Sequence, residues 1–205
     1  MSELRRAALL VGGCVVLGLG VAMLLLAALG SDGYSTLVNG IRLTTGIPFL
    51  AANVLVSIAF VLMAWTRGLR PGIGTVVQIV LVGLTVSLLL EWWEEPSSLA
   101  VRVALLIGAL PVLSLGIAAY LGSQSGAGPA EAAALAWDPP VPFRWSYSAV
   151  QIIGATVGWL LGAAIGPGTA VSFLLGPTVD LAARFLRVDT AQPRVRSSVN
   201  SELQS

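Results

Sequence analysis

Five polar side chains interrupt otherwise apolar stretches of the chain: Asn53 and Ser57, Gln78, and Gln151 and Thr156. In hydrocarbon such groups must find partners in the protein or in a wet cavity, so each is either interhelical glue or the lining of a solute path. None of the five is ionisable. A second kind of chemistry lies in two glycine segments, Asp32-Gly33 and Gly126-Ala127-Gly128-Pro129-Ala130-Glu131. Both read as openings of short helices near a membrane boundary, where free N–H groups and the helix dipole favour an anion. The plainer alternative is a capped interfacial turn, with Glu131 an ordinary first-turn acid. The candidate substrate-binding residues are therefore Asn53, Gln78, Gln151, Gly126, Gly128, Glu131, Asp32 and Gly33.

Other chemistries have few residues to work with. The 205 residues contain no histidine, which removes the commonest general base and transition-metal ligand. The one cysteine, Cys14, sits in an apolar run with no second thiol for a disulfide or metal cluster. No Gly-x-Ser-x-Gly elbow and no phosphate-cradling lysine motif is found. The expectation is a non-enzyme with neither cofactor nor metal. A net charge of +1 likewise gives no basic footprint for a nucleic acid.

Composition indicates what positions these groups. A chain 56% hydrophobic and 10% charged, with mean hydropathy +0.89, is too apolar for an ordinary soluble domain, and a lipid bilayer is its expected solvent. Six spans of about 20 residues are expected: 7–29, 48–65, 71–90, 103–121, 148–165 and 169–186. The first is too long for a cleaved signal core. Residues 34–45 are too short and too polar to cross, so they lie at the interface or enter partway. Between 122 and 147 the chain turns polar and proline-rich, with an alanine-rich helix opened by Pro129. The tail 188–205 reads as disordered.

All basic residues are arginine, and their placement sets orientation. With six alternating spans, Arg5, Arg6, Arg67, Arg70, Arg144, Arg184, Arg187, Arg194 and Arg196 share one side, leaving Arg42 and Arg102 opposite. Both termini are then cytoplasmic in a cell-membrane protein. Glu91, Glu94 and Glu95 fall outside as a solvated rim, and Asp180 pairs with Arg184 one helical turn away.

Gly154, Gly158, Gly162 and Gly166 recur every fourth residue, the spacing of a helix-packing face that admits a neighbouring backbone. The pattern recurs more roughly around Ala64, Gly68 and Gly72. Gly12 and Gly20 match Gly108 and Gly116, Gly33 matches Gly128, and Gly72-Ile73-Gly74-Thr75 matches Gly166-Pro167-Gly168-Thr169. Residues 1–97 and 98–187 thus read as two three-helix repeats. Because each holds an odd number of spans, the second is inverted relative to the first.

Taken in order, the glycine-rich first helix, the segment Gly126 to Glu131, the run Gly158-Trp159-Leu160-Leu161-Gly162, then Gly166-x-Gly168-Thr169 and Gly176-Pro177 resemble the YczE-like, YitT-related bacterial integral membrane proteins. The likeness covers residues 17–186 and implies a multi-pass cytoplasmic-membrane protein without an established activity. The first half departs from the family's G-x-G-P-x-D pattern. It lacks the proline and displaces the acid to Asp32, while the second half has Glu131 in place of Asp.

The expected architecture is an all-α membrane protein with six transmembrane helices, built as two inverted-topology three-helix repeats with short non-spanning segments. The function it points to is a small-solute transporter or permease. The alternative is a non-transporting membrane partner that supports assembly or export by another protein, consistent with glycine seams that join helices, including those of a homo-oligomer. A polar cavity between the halves lined by Gln78, Gln151 and Asn53 separates the first reading from the second.

Overall fold

Large apolar side chains face outward along the long helices, the reverse of a soluble bundle. The exposed residues Val76, Val80, Leu84 and Leu88 recur once per turn, as do Leu55, Ile58, Leu62 and Trp65 on another helix. Such stripes fit lipid. The computed structural model describes residues 2–137, 140–141, 143–172 and 175–188. Among them all regular structure is helical: α1 (Glu3–Ala27), α2 (Gly33–Thr45), α3 (Phe49–Thr66), α4 (Ile73–Trp92), α5 (Leu99–Gly122), α6 (Pro129–Leu135), α7 (Phe143–Leu160), α8 (Pro167–Ser172) and α9 (Leu175–Leu186).

Helices α1, α3, α4 and α5 are long and apolar enough to cross a membrane. They correspond to the first four expected spans. The fifth is displaced: the expected 148–165 is α7, ending at Leu160. The expected sixth, 169–186, is divided into α8 and α9, with residues 173–174 outside the described set. The expected tail from 189 onward and the side chain of Asp180 also lie outside it.

The end of α7 corrects the four-glycine seam. Gly162 has φ +90 and accepts no neighbour within 4 Å, so it is not a helix-packing residue. The Gly162 N–H bonds to Trp159 O at 2.9 Å and the Ala163 N–H to Gly158 O at 2.9 Å. That pair of bonds with a left-handed glycine is a Schellman cap. The fourfold spacing therefore runs through a helix terminus. Gly166, beyond it, meets the backbone of Leu29. Gly154 and Gly158 remain on the helix and press on α2: a Cβ on Gly154 would meet the Gly33 backbone, and one on Gly158 the Thr36 carbonyl.

Close backbone approach also joins α1 to α5, which run antiparallel. A Cβ on Gly13 would lie 2.5 Å from Tyr120 N, and one on Gly116 2.5 Å from Leu17 N. Arg102 near the start of α5 donates at 2.7 Å to Ala27 O and Ala28 O at the end of α1, and it pairs with Glu95 at 3.2 Å. Arg6 near the start of α1 donates at 3.2 Å to Ser123 O just beyond α5. Each arginine thus satisfies carbonyls that a helix terminus leaves unpaired.

Candidate functional site

Contacts between α2 and α7 run in register and in the same direction. Gly33 meets Gln151, Gly40 meets Gly158 and Leu161, and the Thr44 hydroxyl donates to Leu161 O at 2.9 Å. Because Gln151 lies mid-way along α7, α2 starts inside the bundle and runs outward. The segment after α1 has therefore turned back into the fold. A similar return precedes α6. Gly72 and Gly74 pack on Ser125, and Thr75 Oγ1 donates to Ala127 O at 2.7 Å. Gly128, the N-cap of α6, then sits beside Gln78 and the Tyr120 hydroxyl. Helix α6 leads away from the interior to Trp137, whose ring lies 3.9 Å below the Arg67 guanidinium just after α3.

The two starts meet at a cavity of about 70 Å³. Asp32, Asn53, Gln78, Glu131 and Gln151 all line it, with Leu17, Val21, Val82 and Leu113 as apolar wall. Of the residues singled out from sequence, these five converge, and Gly33 and Gly128 form the backbone immediately behind them. Gly126 does not join them. It packs on Gly72 and Thr75 with φ +135 and lines a separate recess at the start of α4. Thr156 is also apart, exposed and bonded to Ile152 O of its own helix at 2.8 Å.

Hydrogen bonds fix most of the lining. The Tyr34 hydroxyl donates to Asn53 Oδ1 at 2.8 Å and lies 2.7 Å from Ser57 Oγ, while Asn53 Nδ2 donates to Ile79 O at 2.8 Å. Asn53 and Ser57 are thus tied into one network joining α2, α3 and α4. Gln151 Oε1 accepts the Tyr34 N–H at 3.2 Å, and its side chain also bonds Tyr147. The Tyr120 hydroxyl accepts the Gly128 N–H at 3.3 Å and bonds the Glu131 carboxyl. Gln78 has no side-chain partner among the described residues.

The anion site expected at the helix starts is already occupied from within. Asp32 is the N-cap of α2, and its Oδ2 accepts the Ser35 N–H at 3.1 Å. With Gln151 on the Tyr34 N–H, the free donors that would hold an external anion are used by the chain's own oxygens. Burial raises the Asp32 carboxyl above its ordinary value even against these hydrogen bonds. Glu131 is raised too, first by burial and further by the negative charge of Asp32. Two acids that hydropathy places at the membrane boundary therefore face a common interior space. Sequence reasoning also missed Tyr34, Tyr120 and Tyr147; a phenol within an apolar run, as at Tyr120, is the one signal that marks such a position.

Comparison with known proteins adds lineage without chemistry. An uncharacterized protein of Haemophilus influenzae is 25% identical over 172 residues, covering 83% of this chain and 79% of the relative. No solved structure matches the chain. The matched region of the family model, residues 4–184, takes in every helix from α1 to α8 and nearly all of α9, and the chain belongs to DUF6198, a family of unknown function.

Proposed function

We propose that the protein is a small-solute transporter or permease of the bacterial cytoplasmic membrane, with its solute site at the cavity where α2 and α6 begin. It crosses six times with both termini in the cytoplasm, as two inverted three-helix repeats of the kind seen in the YczE-like, YitT-related proteins. The sixth crossing is α8 and α9 in series. Along their length Gly168 lies by Leu106, Thr178 accepts from Ser114 at 2.8 Å, and Val188 lies by Gly122, following α5 from one end to the other.

Reciprocal contacts support the inversion. Arg6 caps the end of α5 and Arg102 the end of α1. Gly20 packs on Leu113 and Gly116 on Leu17. The Gly74 N–H bonds to Ser125 O at 2.9 Å, and the matching Gly168 N–H to Leu29 O at 2.8 Å. Gly68 caps α3 with the same left-handed turn that Gly162 gives α7. Two elements that exchange identical roles in this way are related by a twofold axis, which for an odd number of spans per repeat lies in the membrane plane.

The observation that carries the transport reading is the convergence of Asp32, Asn53, Gln78, Glu131 and Gln151 on one interior cavity. Hydrogen-bonding glue needs no empty space, whereas a solute site does. The test is uptake and efflux of a panel of small solutes by proteoliposomes, comparing the wild-type chain with Gln151→Leu at matched, monodisperse incorporation. Flux of at least one solute by the wild type, reduced tenfold or more in the variant, is expected. Wild-type flux at the level of empty vesicles for the whole panel would sink transport and favour the non-transporting partner.

A further inference from the structure

We propose that the central cavity takes a small monovalent cation, of alkali-metal or ammonium type, held between Asp32 and Glu131; this rests on the same cavity being the solute site.

Charge is the first argument. Among the described residues two acids line the space and no arginine does. Arg6 and Arg102 are committed to helix-end carbonyls and Arg67 to the Trp137 ring. Among the described residues these two carboxylates have no basic partner, and two acids facing one buried space do not both stay ionised unless a cation joins them. With one proton retained the pair carries a single negative charge, which a monovalent ion neutralises. An anion is disfavoured twice, by this charge and by the occupation of the α2 donors by Asp32 and Gln151.

Size is the second. The cavity of about 70 Å³ has room for a few water molecules, at about 10–15 Å³ of free space each. That suits a small ion with part of its hydration shell better than a bulky solute such as a nucleotide. The ligands on offer are the third argument. Carboxylate and amide oxygens of Asp32, Glu131 and Gln78 are hard donors matched to alkali cations, and the rings of Phe49 and Tyr147 in the wall add the faces an ammonium ion prefers. Among the described residues the other titratable groups facing the pair are Tyr34 from α2, Tyr120 from α5 and Tyr147 from α7, and α1, α3, α4 and α9 contribute no charged side chain to the wall.

The test is thermal unfolding of the purified full chain in detergent. Chlorides of lithium, sodium, potassium, ammonium, methylammonium, magnesium and choline are titrated at constant ionic strength, at pH 6 and pH 8. The expected result is a saturable rise in Tm of several degrees with at least one small monovalent cation and none with choline. The affinity falls at the lower pH, because protons compete for the carboxylates. Glu131→Gln and Asp32→Asn each weaken it tenfold or more. Since those variants could lose stability, the wild-type ion ranking and its pH dependence decide alone. A Tm that no small cation moves beyond choline, or that only magnesium moves, overturns the proposal, as does an unchanged affinity in both variants. Flux of a neutral solute without any cation effect would reject the cation while keeping transport; cation binding without flux would do the reverse.

Discussion

Replacing Gly128 with alanine separates the cavity's role from its part in the fold. Gly128 has φ −66, an ordinary backbone for any residue, so alanine brings no strain. Its Cβ would lie 2.5 Å from Glu131 Oε2, 3.0 Å from Gln78 Nε2 and 3.1 Å from the Tyr120 hydroxyl. The first two are tips of rotatable side chains that can swing by up to about 1 Å, while the Tyr120 ring, fully buried in the core, has to give only a few tenths of an ångström. The stability cost is that of an alanine N-cap in place of glycine, about 0.5–1 kcal/mol. At about 2–4 °C per kcal/mol for a chain of this size, Tm should fall by no more than about 4 °C. The function should suffer far more. A methyl group takes up part of a cavity of about 70 Å³, and it displaces the Glu131 carboxyl and the Gln78 amide, which has no side-chain partner among the described residues. Solute flux and cation affinity are both expected to drop tenfold or more, measured in proteoliposomes and by thermal shift. A variant with wild-type flux would refute the placement of the site. Collapse of the fold would show that these side chains are wedged, contrary to the contacts described.

Other substitutions probe the scaffold. Gly158→Ala places a Cβ on the Thr36 carbonyl and 2.7 Å from Leu37 N, groups that cannot rotate away, so a loss of about 2–3 kcal/mol is expected in thermal unfolding. Gly12→Ala, with nothing within 4 Å, should be neutral or gain up to about 1 kcal/mol by helix propensity; equal destabilisation by the two would count against the α2–α7 seam. Arg102→Met removes two charged hydrogen bonds to the α1 terminus and should cost about 2–4 kcal/mol, whereas Arg42→Met, whose guanidinium reaches only Asn39 within its own helix, should be near neutral. Stability without added cation should fall as pH rises from the ordinary carboxyl range through the raised values of Asp32 and Glu131, since protons bound in the native state stabilise it only while they remain. A flat profile, or one rising with pH, would contradict that sign.

The four long spans were readable because α1, α3, α4 and α5 present uninterrupted apolar stretches with charges at their ends. The α7 boundary was not, because glycine at fourfold spacing means close packing at Gly154 and Gly158 but a left-handed cap at Gly162. Composition is the same in both places, and only the local hydrogen bonds differ. Asn53, Gln78 and Gln151 announced themselves as polar groups in apolar runs. Asp32 and Glu131 were legible as candidates at the helix starts but not in their depth, since hydropathy assigns a loop acid to the boundary and carries no sign that the loop turns back into the bundle. Their depth follows from tertiary contacts far apart in sequence, Gly33 on Gln151 and Gly128 beside Gln78.

Packing also says where a transport movement could occur. Helix partnerships can be grouped into two sets: α1 with α4 and α5, and α5 with α9, on one side; α2 with α3 and α7, and α6 with α3 and α7, on the other. The pair α3 on α4 joins the sets more extensively than any pair within the second except α2 with α7. Each set takes helices from both sequence halves, so the halves interleave, and neither is a rigid body facing the other. The cavity wall is drawn from both sets, with Leu17, Gln78 and Leu113 from the first and Asp32, Asn53, Glu131 and Gln151 from the second. Within a set the joints are backbone on backbone, as at Gly13, Gly116 and Gly158, and tight joints of that kind do not slide. Between the sets the principal link is α3 on α4, where Gly83 meets Leu50 and Asn53 donates to Ile79 O. That link is a side-chain contact with one hydrogen bond. Alternating access under the transport proposal would have to move the second set against the first across both this contact and the Tyr120 hydroxyl's bonds to Gly128 and Glu131, carrying Asp32 and Glu131 together.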